Sequence, residues 1–425
     1  MTGETLIAIA SGREMGVLTC GKNLDLSFEY ADNWRRMRGA YPLSLSMPLA
    51  ARKHGSDKVT PFLWGLLPDN AAVLDQWGKS FHVSPRNPFA LLSHVGEDCA
   101  GAIQFVRPER VEALASQQNL QIEWLSEKDV EDRLRTLSQN HAAGRRAEDL
   151  GQFSLAGAQP KTALIFTRGK WGVPSGATPT THILKPPTGA FDGIAENEHF
   201  CLRLANAVGL PTARSEVKRF GDEFAFVSHR YDRREIEGRI VRIHQEDFCQ
   251  ALSVMPQGKY QNEGGPGTDQ IIEGLQTWSS NPQADIETFV KANIFNCLIA
   301  GTDAHAKNYA LLISGSSVRL APLYDIISTL PYADIPIQKA KLAMKIGGEY
   351  RLQKIGVRQW EEFGKVAKIS TSDIEKMIRD MSGIIGEASA ETRIRIHDEG
   401  VGHPILDTLS EHIAIRADKC AKAFK

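Results

Sequence analysis

The chain has 425 residues, 42% of them apolar and 24% charged, with 50 basic against 51 acidic side chains for a formal charge of −1. That length supports a large core and a division into two or three units, and the composition excludes a disordered or fibrous chain. The even charge gives no whole-chain attraction to nucleic acid or membrane, although a local basic patch stays compatible with it. The cysteines Cys20, Cys99, Cys201, Cys249, Cys297 and Cys420 are scattered without the close pairs of zinc sites or small disulfide frameworks, so free thiols are expected. The start MTGETLIAIASGREMG has no basic region leading into a long apolar stretch, and no membrane-length apolar run follows anywhere. A cytoplasmic location without membrane contact is the expectation.

In chain order, residues 1–108 alternate short apolar and polar runs. Strands are predicted at Thr5 to Ala10, Gly16 to Thr19, Leu24 to Tyr30 and Pro42 to Met47, with helices near Pro61 to Trp77 and Asn87 to Leu92. Residues 109–149 are polar, with helical spacing at Val130, Leu134 and Leu137 and an exposed loop around HAAGRRAEDL, and read as a helical connector. Across 150–232 strand patterns dominate, at Thr162 to Thr167, Thr181 to Lys185 and Phe224 to Ser228, around one amphipathic helix from about Glu196 to Val208. Within 233–425 the period turns helical, as in Ile286, Phe289, Val290, Ile294, Cys297 and Leu298 on one face. The expected class is α+β, a two-lobed protein with a nucleotide cleft between a β-rich and an α-rich part.

The stretch GTDAHAKN, residues 301–308, carries the chemistry. Asp303 precedes Asn308 by the interval that separates the base aspartate from the metal-binding asparagine of a kinase catalytic loop. Two strand-like runs, Tyr309 to Ile313 and Val318 to Leu323, joined by SGSS, lead to a second acidic ligand, Asp325, in LYDI. Phosphoryl transfer needs a positioned nucleophile and hard oxygen ligands around magnesium, which Asp303, Asn308 and Asp325 supply. Lys307 is placed to neutralise the transferring group. Asp303, His305 and Asp325 also fit a transition-metal hydrolase, with His229 or His244 brought in by folding to complete the ligands.

Ahead of that stretch, SLAGAQPKTALIF at 154–166 sets Ala156, Gly157 and Ala158 before a strand, where backbone amides can approach a phosphate; an ordinary turn explains them as well. Lys185 ends THILK, where a kinase lysine holds phosphates, or is a surface lysine before Pro186 and Pro187. Glu198 shares a helix face with Cys201 and Ala205 and can pair with Lys185; Glu196 competes, and a solvated helix start accounts for either. FAFVSHRYDRR puts the backbone of His229 to Tyr231 after a strand, where a kinase meets adenine, while Arg230, Asp232 and Arg233 equally make structural ion pairs. Lys259, Tyr260 and Gly264 to Gly267 border a protein-substrate groove or form a loop leading into a helix.

Together with PLSLSMPL, LLPDN, NPFALLSHVGEDCAGAI, ENEHFCLRLA, YQNEGGPG and KLAMKIGG, these runs cover nearly the whole chain, and they resemble the HipA family of bacterial serine/threonine protein kinases, toxins of toxin–antitoxin pairs. The resemblance implies a protein-kinase-like fold and ATP with Mg²⁺ as cofactors. By matched position it makes Ala156, Gly157, Ala158, Gln159, Pro160 and Lys161 the phosphate loop, Lys185 the phosphate lysine, and His229, Arg230 and Tyr231 the adenine hinge. It likewise makes Asp303 catalytic, His305, Ala306, Lys307 and Asn308 nucleotide or metal contacts, and Tyr324 with Asp325 the end of the magnesium site. The family's hinge often opens with an acidic residue, where this chain has His229. Ser154 aligns with a serine that family members autophosphorylate; without the family it reads as a turn or cap serine. Implied partners are an aminoacyl-tRNA synthetase, notably the glutamyl enzyme, as substrate, and a HipB-like helix-turn-helix antitoxin through which operator DNA is met. An ATP-binding co-repressor is the alternative from a different functional class.

Overall fold

The computed structural model describes residues 4–115, 122–141, 143–144, 153–175, 178–187 and 191–423. Most of the loop expected at 141–150 lies outside them. The chain divides into two compact units, one formed by 1–186, 218–257 and 310–318, the other by 187–217, 258–309 and 319–425.

In the first unit β1 (Glu4–Ala10), β2 (Arg13–Cys20), β3 (Leu26–Tyr30), β4 (Lys53–His54) and β5 (Ile103–Val106) form an antiparallel sheet in the order β4-β3-β2-β1-β5. Period-two burial explains β3, where Leu26, Phe28 and Tyr30 face the core. The strand expected at Pro42 to Met47 is instead a series of turns. Its polar groups find side-chain partners: the amide of Leu43 donates to Tyr30 Oη at 2.7 Å, the amide of Leu45 to Glu246 Oε1 at 2.7 Å, and Ser44 Oγ to Glu246 Oε2 at 2.6 Å. The expected helix from Pro61 to Trp77 is two helices, Ser56–Gly65 and Ala71–Phe81. LLPDN separates them, Pro68 lacking an N–H and Asn70 capping the second helix by accepting from Ala72 N at 2.9 Å.

A second sheet of the order β10-β11-β9-β7-β8-β6 contains β6 (Ile122–Leu125), β7 (Thr162–Thr167), β8 (Lys170–Pro174), β9 (His182–Lys185), β10 (Ser215–Phe220) and β11 (Glu223–His229). The helix Glu127–Gln139, opened by a Ser126/Asp129 capping box, packs Val130 and Leu134 against Leu164, Trp171, Leu184 and Val227. The helical period expected beyond 240 is preceded by a hairpin, β12 (Arg233–Ile236) with β13 (Arg239–Arg242). Its two-residue turn, Glu237 at φ 49° and Gly238 at φ 74°, matches strand twist. β14 (His244–Asp247), β15 (Ala310–Ser314) and β16 (Ser317–Leu320) follow as a three-stranded sheet.

The second unit is chiefly helical: Ile194–Ala207, Thr268–Trp278, Pro282–Ile299, Val357–Ala367, Thr371–Asp398 and Ile405–Ala423. Pro282–Ile299 buries the expected apolar face and also Asp285, Asn293 and Asn296, so it is enclosed on several sides. KLAMKI is a strand and not a helix: β17 (Lys341–Ile346) pairs with β18 (Glu349–Arg351) across Gly347 and Gly348, both at positive φ. Among the described residues no helix is long and apolar enough to cross a membrane.

Candidate active site

In the second unit the helix Pro282–Ile299 stops because Ala300 turns left-handed at φ 52°. Gly301 follows so closely on the helix that a Cβ there would stand 2.4 Å from Asn296 Oδ1. The chain then makes a tight loop: the His305 amide donates to Asp303 O at 2.8 Å and the Asn308 amide to His305 O at 2.9 Å. Asn308 Oδ1 also accepts from the His305 amide at 3.3 Å, which leaves Nδ2 donating to Asp325 Oδ2 at 3.3 Å. Asp303, Asn308 and Asp325 thus line one small cavity of about 20 Å³, enough for a water-sized occupant.

Asp325 is brought there by the segment that follows it. Ser328 and Asn197 exchange two bonds, Ser328 N to Asn197 Oδ1 at 3.0 Å and Asn197 Nδ2 to Ser328 O at 2.8 Å. Ser328 Oγ donates to Ile299 O at 2.5 Å, and the Thr329 amide and hydroxyl both donate to Ala300 O. The helix end that launches Asp303 is therefore the one that anchors Asp325. Asp325 itself has φ 57°, a left-handed conformation unusual for a side-chain-bearing residue and found at functional sites. Tyr324 Oη donates to Lys307 O at 2.5 Å, tying the two segments again.

Asp303 is accessible to solvent, yet its carboxyl is crowded enough that burial raises its pKa from the ordinary value; the Tyr260 hydroxyl, donating to Oδ1 at 2.8 Å, opposes that rise, Asp325 adds to it and Lys259 opposes it. His305 is buried and held down to about 4, mainly by burial and then by Lys259, so it is neutral at pH 7. Lys307 and Asn308 are buried. The alternative ligands do not assemble: His244 spends Nε2 on Leu43 O at 3.0 Å and Nδ1 on the Ala102 amide at 3.5 Å, and His229 packs on His182 with centroids 4.2 Å apart. Among the described residues no group of three or more His, Cys, Asp or Glu is placed to hold a metal.

In the first unit Lys185 ends β9 and is buried, with Nζ 5.2 Å from the centre of the Phe226 ring, which removes the surface-lysine reading. Ala156 to Lys161 lie in an irregular segment stitched to LLPDN: the Asp69 amide donates to Gly157 O at 3.2 Å, and Pro68 pairs with Gly157. Gly157 sits at φ 103°, and Lys161 Nζ folds under it to donate to Ala156 O at 2.8 Å, so a Cβ on Gly157 would meet that ammonium at 2.5 Å. Ser154 is fully buried, its Oγ donating to Leu66 O at 2.7 Å and its amide to Asp98 O at 3.1 Å. Glu198, in the second unit on Ile194–Ala207, is buried as its helix face predicts.

The chain after β11 is fixed by ion pairs. Arg230 donates to Asp232 from Nε at 3.0 Å and Nη2 at 2.8 Å, to Thr180 Oγ1 at 2.9 Å and to Cys99 O at 2.8 Å. Asp98 accepts from Arg233 Nη2 at 2.8 Å, Arg242 Nε at 3.2 Å and Thr180 Oγ1 at 2.6 Å. Although burial opposes ionisation, the three arginines Arg233, Arg242 and Arg230 hold Asp98 well below the usual carboxylate range. The structural ion pairs anticipated for Arg230, Asp232 and Arg233 are therefore present. The Arg230 amide donates to Thr181 O at 2.9 Å. Asp98 and Asn197 were singled out only through their motifs, VGEDCAGAI and ENEHF, and Tyr260 only as bordering a groove or a loop, without its bond to Asp303.

Residues 6–106 match the HipA N-terminal domain, and residues 153–388 match the HipA-like C-terminal domain, more than half of the chain. The chain belongs to the HipA family. Among HipA relatives, the protein named "Putative kinase Y4mE" of Sinorhizobium fredii is 35% identical over 422 residues, 98% of each chain. The serine/threonine-protein kinase toxin HipA of Shewanella oneidensis is 30% identical over 386 residues, 84% of this chain and 83% of that one. The solved Shewanella oneidensis complex of HipA, HipB and operator DNA contains a chain that matches with a TM-score of 0.82 at 27% identity, over 97% of each chain. The fold is accordingly the mixed α+β fold of HipA, a family of kinase toxins, and kinases use ATP.

Proposed function

We propose that this HipA protein is an ATP- and Mg²⁺-dependent serine/threonine protein kinase. The observation that carries the proposal is the convergence of Asp303, Asn308 and Asp325 on one cavity, with Asp303 available to a hydroxyl. The donor chemistry fits the cofactor. Asn308 and Asp325 carry hard oxygens of the kind Mg²⁺ takes, and Asn308 Nδ2 donates to Asp325 Oδ2 at 3.3 Å, which holds the two side chains side by side. Gly157 over the Lys161 ammonium leaves a cradle that a side chain would fill, and Lys185 is a second buried cation for phosphate.

A bound Mg²⁺ would supply positive charge against the phosphate oxygens. In the proposed roles Asn308 and Asp325 would hold the metal, and Ala156 to Lys161 and Lys185 would hold phosphates. Tyr324 stabilises the loop through Lys307 O, and Lys307 offsets charge on the transferred group. Asp303 orients the serine hydroxyl and accepts its proton on Oδ2, Oδ1 being engaged by Tyr260. His229 to Tyr231 are the proposed adenine contacts, the Arg230 amide there donating to Thr181 O, and His305 and Ala306 are proposed nucleotide contacts.

The wider biology is part of the same proposal: a cytoplasmic toxin that phosphorylates an aminoacyl-tRNA synthetase, the glutamyl enzyme first, and is restrained by a HipB-like antitoxin through which operator DNA is met; the solved relative is in a complex with HipB and its operator DNA. Autophosphorylation at Ser154 would add a dianion of about −1.5 to −2 where Leu66 O now accepts a hydrogen bond. That is incompatible with the docked segment and suits self-inactivation. Incubation of the protein with γ-labelled ATP and a bacterial extract tests the function: label in a synthetase supports it, and label in Ser154 that vanishes in Ser154→Ala supports the self-modification. Unlabelled protein with operator binding intact would favour the co-repressor reading.

A further inference from the structure

Two motifs, YQNEGGPG at 260–267 and KLAMKIGG at 341–348, meet beside the proposed catalytic aspartate. Tyr260 O accepts from the amides of Glu263 at 3.0 Å and Gly265 at 2.9 Å, closing a compact turn. Gly264 supplies the left-handed φ of 92°, and a Cβ at Gly265 would stand 2.0 Å from Gly258 O. The turn is bolted to β17 by the Lys345 amide donating to Gln261 Oε1 at 2.7 Å and by Thr268 Oγ1 donating to Lys345 O at 3.0 Å. Beyond the strand, Gly347 runs so close to the helix Val357–Ala367 that a Cβ there would lie 2.0 Å from Gln359 O. The tyrosine ring stands edge-on to buried His305 at 5.0 Å and 77°, with Lys259 Nζ 5.4 Å from its centre. All these groups belong to the second unit.

We infer that Tyr260 is a positioning residue for Asp303: its hydroxyl, donating to Oδ1 at 2.8 Å, fixes the rotation of the carboxylate and directs Oδ2 to the acceptor hydroxyl, while the two glycine-rich motifs form the bracket that fixes Tyr260. A carboxylate free to rotate spends part of its time misaligned, and a hydroxyl donor removes that freedom at one oxygen without taking the other. Donation to Oδ1 also favours the ionised carboxylate that can accept a proton, against the burial and the Asp325 charge that disfavour it. The bracket explains why a long-range strand, β17, belongs to the catalytic region at all. This inference rests on Asp303 being the proton acceptor of the proposed kinase.

The test compares wild type, Tyr260→Phe and Gln261→Ala for transfer of γ-labelled phosphate from ATP into the protein of a bacterial extract, over pH and ATP concentration. Phenylalanine keeps the ring against His305 and removes only the hydroxyl. The expected result is a maximal rate lower by about tenfold, an unchanged KM for ATP, and an acid limb moved to higher pH, because losing the donor raises the Asp303 pKa. Gln261→Ala, which loosens the bracket without touching Asp303, is expected to move rate and acid limb the same way and less. A Tyr260→Phe protein with wild-type rate and acid limb overturns the inference, and so does a faster one, which would mean that the hydroxyl occupies the acceptor's place. Should Tyr260→Phe fail to fold, Gln261→Ala decides: a shifted acid limb supports the bracket and an unshifted one overturns it. Absence of transfer by wild type defeats the kinase proposal beneath the inference, whereas transfer by wild type with unchanged variants defeats the inference alone.

Discussion

Asp303 works, in the proposed reaction, against its own surroundings. Burial and Asp325 raise its pKa, so the ionised, proton-accepting form is lost on acidification earlier than for an ordinary aspartate. Transfer activity should therefore fall through an acid limb displaced upward from the ordinary carboxylate range, read from rates over pH; a limb at or below that range would contradict the assignment. Glu246 gives a second residue-scale prediction. Burial raises it to about 8 from an ordinary 4.5, so folding takes up a proton that the unfolded chain lacks between those values. Its contribution to stability is full below 4.5 and lost as pH rises toward about 8. Glu246→Gln, which can still accept from Leu45 and donate to Ser44, should abolish that decline and gain stability of up to a few kcal/mol, roughly, near pH 8; denaturant midpoints over pH measure it. That Asp303, Asn308 and Asp325 line one cavity was legible in their order along the chain, whereas the Tyr260–Asp303 and Asn197–Ser328 bonds were not, because they span 43 and 131 positions.

The catalytic loop is an element whose geometry is set by what it leaves. Gly301 has room for no side chain, with Asn296 Oδ1 2.4 Å from where a Cβ would be. Gly301→Ala should push the loop from the helix end, costing about 1–3 kcal/mol of stability and lowering transfer rate more than ATP affinity, as thermal melts and nucleotide titration would report. The phosphate-loop segment is likewise defined by a neighbour, LLPDN, which takes its Ser154 hydroxyl and Gly157 carbonyl. Elements with a clear period, β7 and the helix Pro282–Ile299, were readable. Pro42 to Met47 was misread as a strand because its amides bond to Tyr30 and Glu246 side chains, and β17 is a strand inside the part read as chiefly helical, its pairing made by the Gly347–Gly348 turn.

At the scale of the molecule the two family domains and the two compact units do not coincide. Asp98 lies in the HipA N-terminal domain and Arg230, Arg233 and Arg242 in the C-terminal one, yet all four share the first unit. Their buried ion pairs join the two domains there. Asp98→Asn would remove the carboxylate that Arg230, Arg233 and Arg242 share, and a loss of about 3–5 kcal/mol is expected from chemical denaturation. The mixed α+β class was legible in the shift from strand to helix periods; this cross-linking was not, since sequence spacing says nothing of charges 132 positions apart. The central claim is that this HipA protein transfers phosphate through Asp303. The most direct test is incorporation of γ-labelled phosphate from ATP into protein by wild type and by Asp303→Gln at equal folded concentration and equal nucleotide occupancy. Incorporation by wild type and a loss of about 100-fold or more in the variant are expected; equal incorporation by the two proteins would rule out transfer through Asp303.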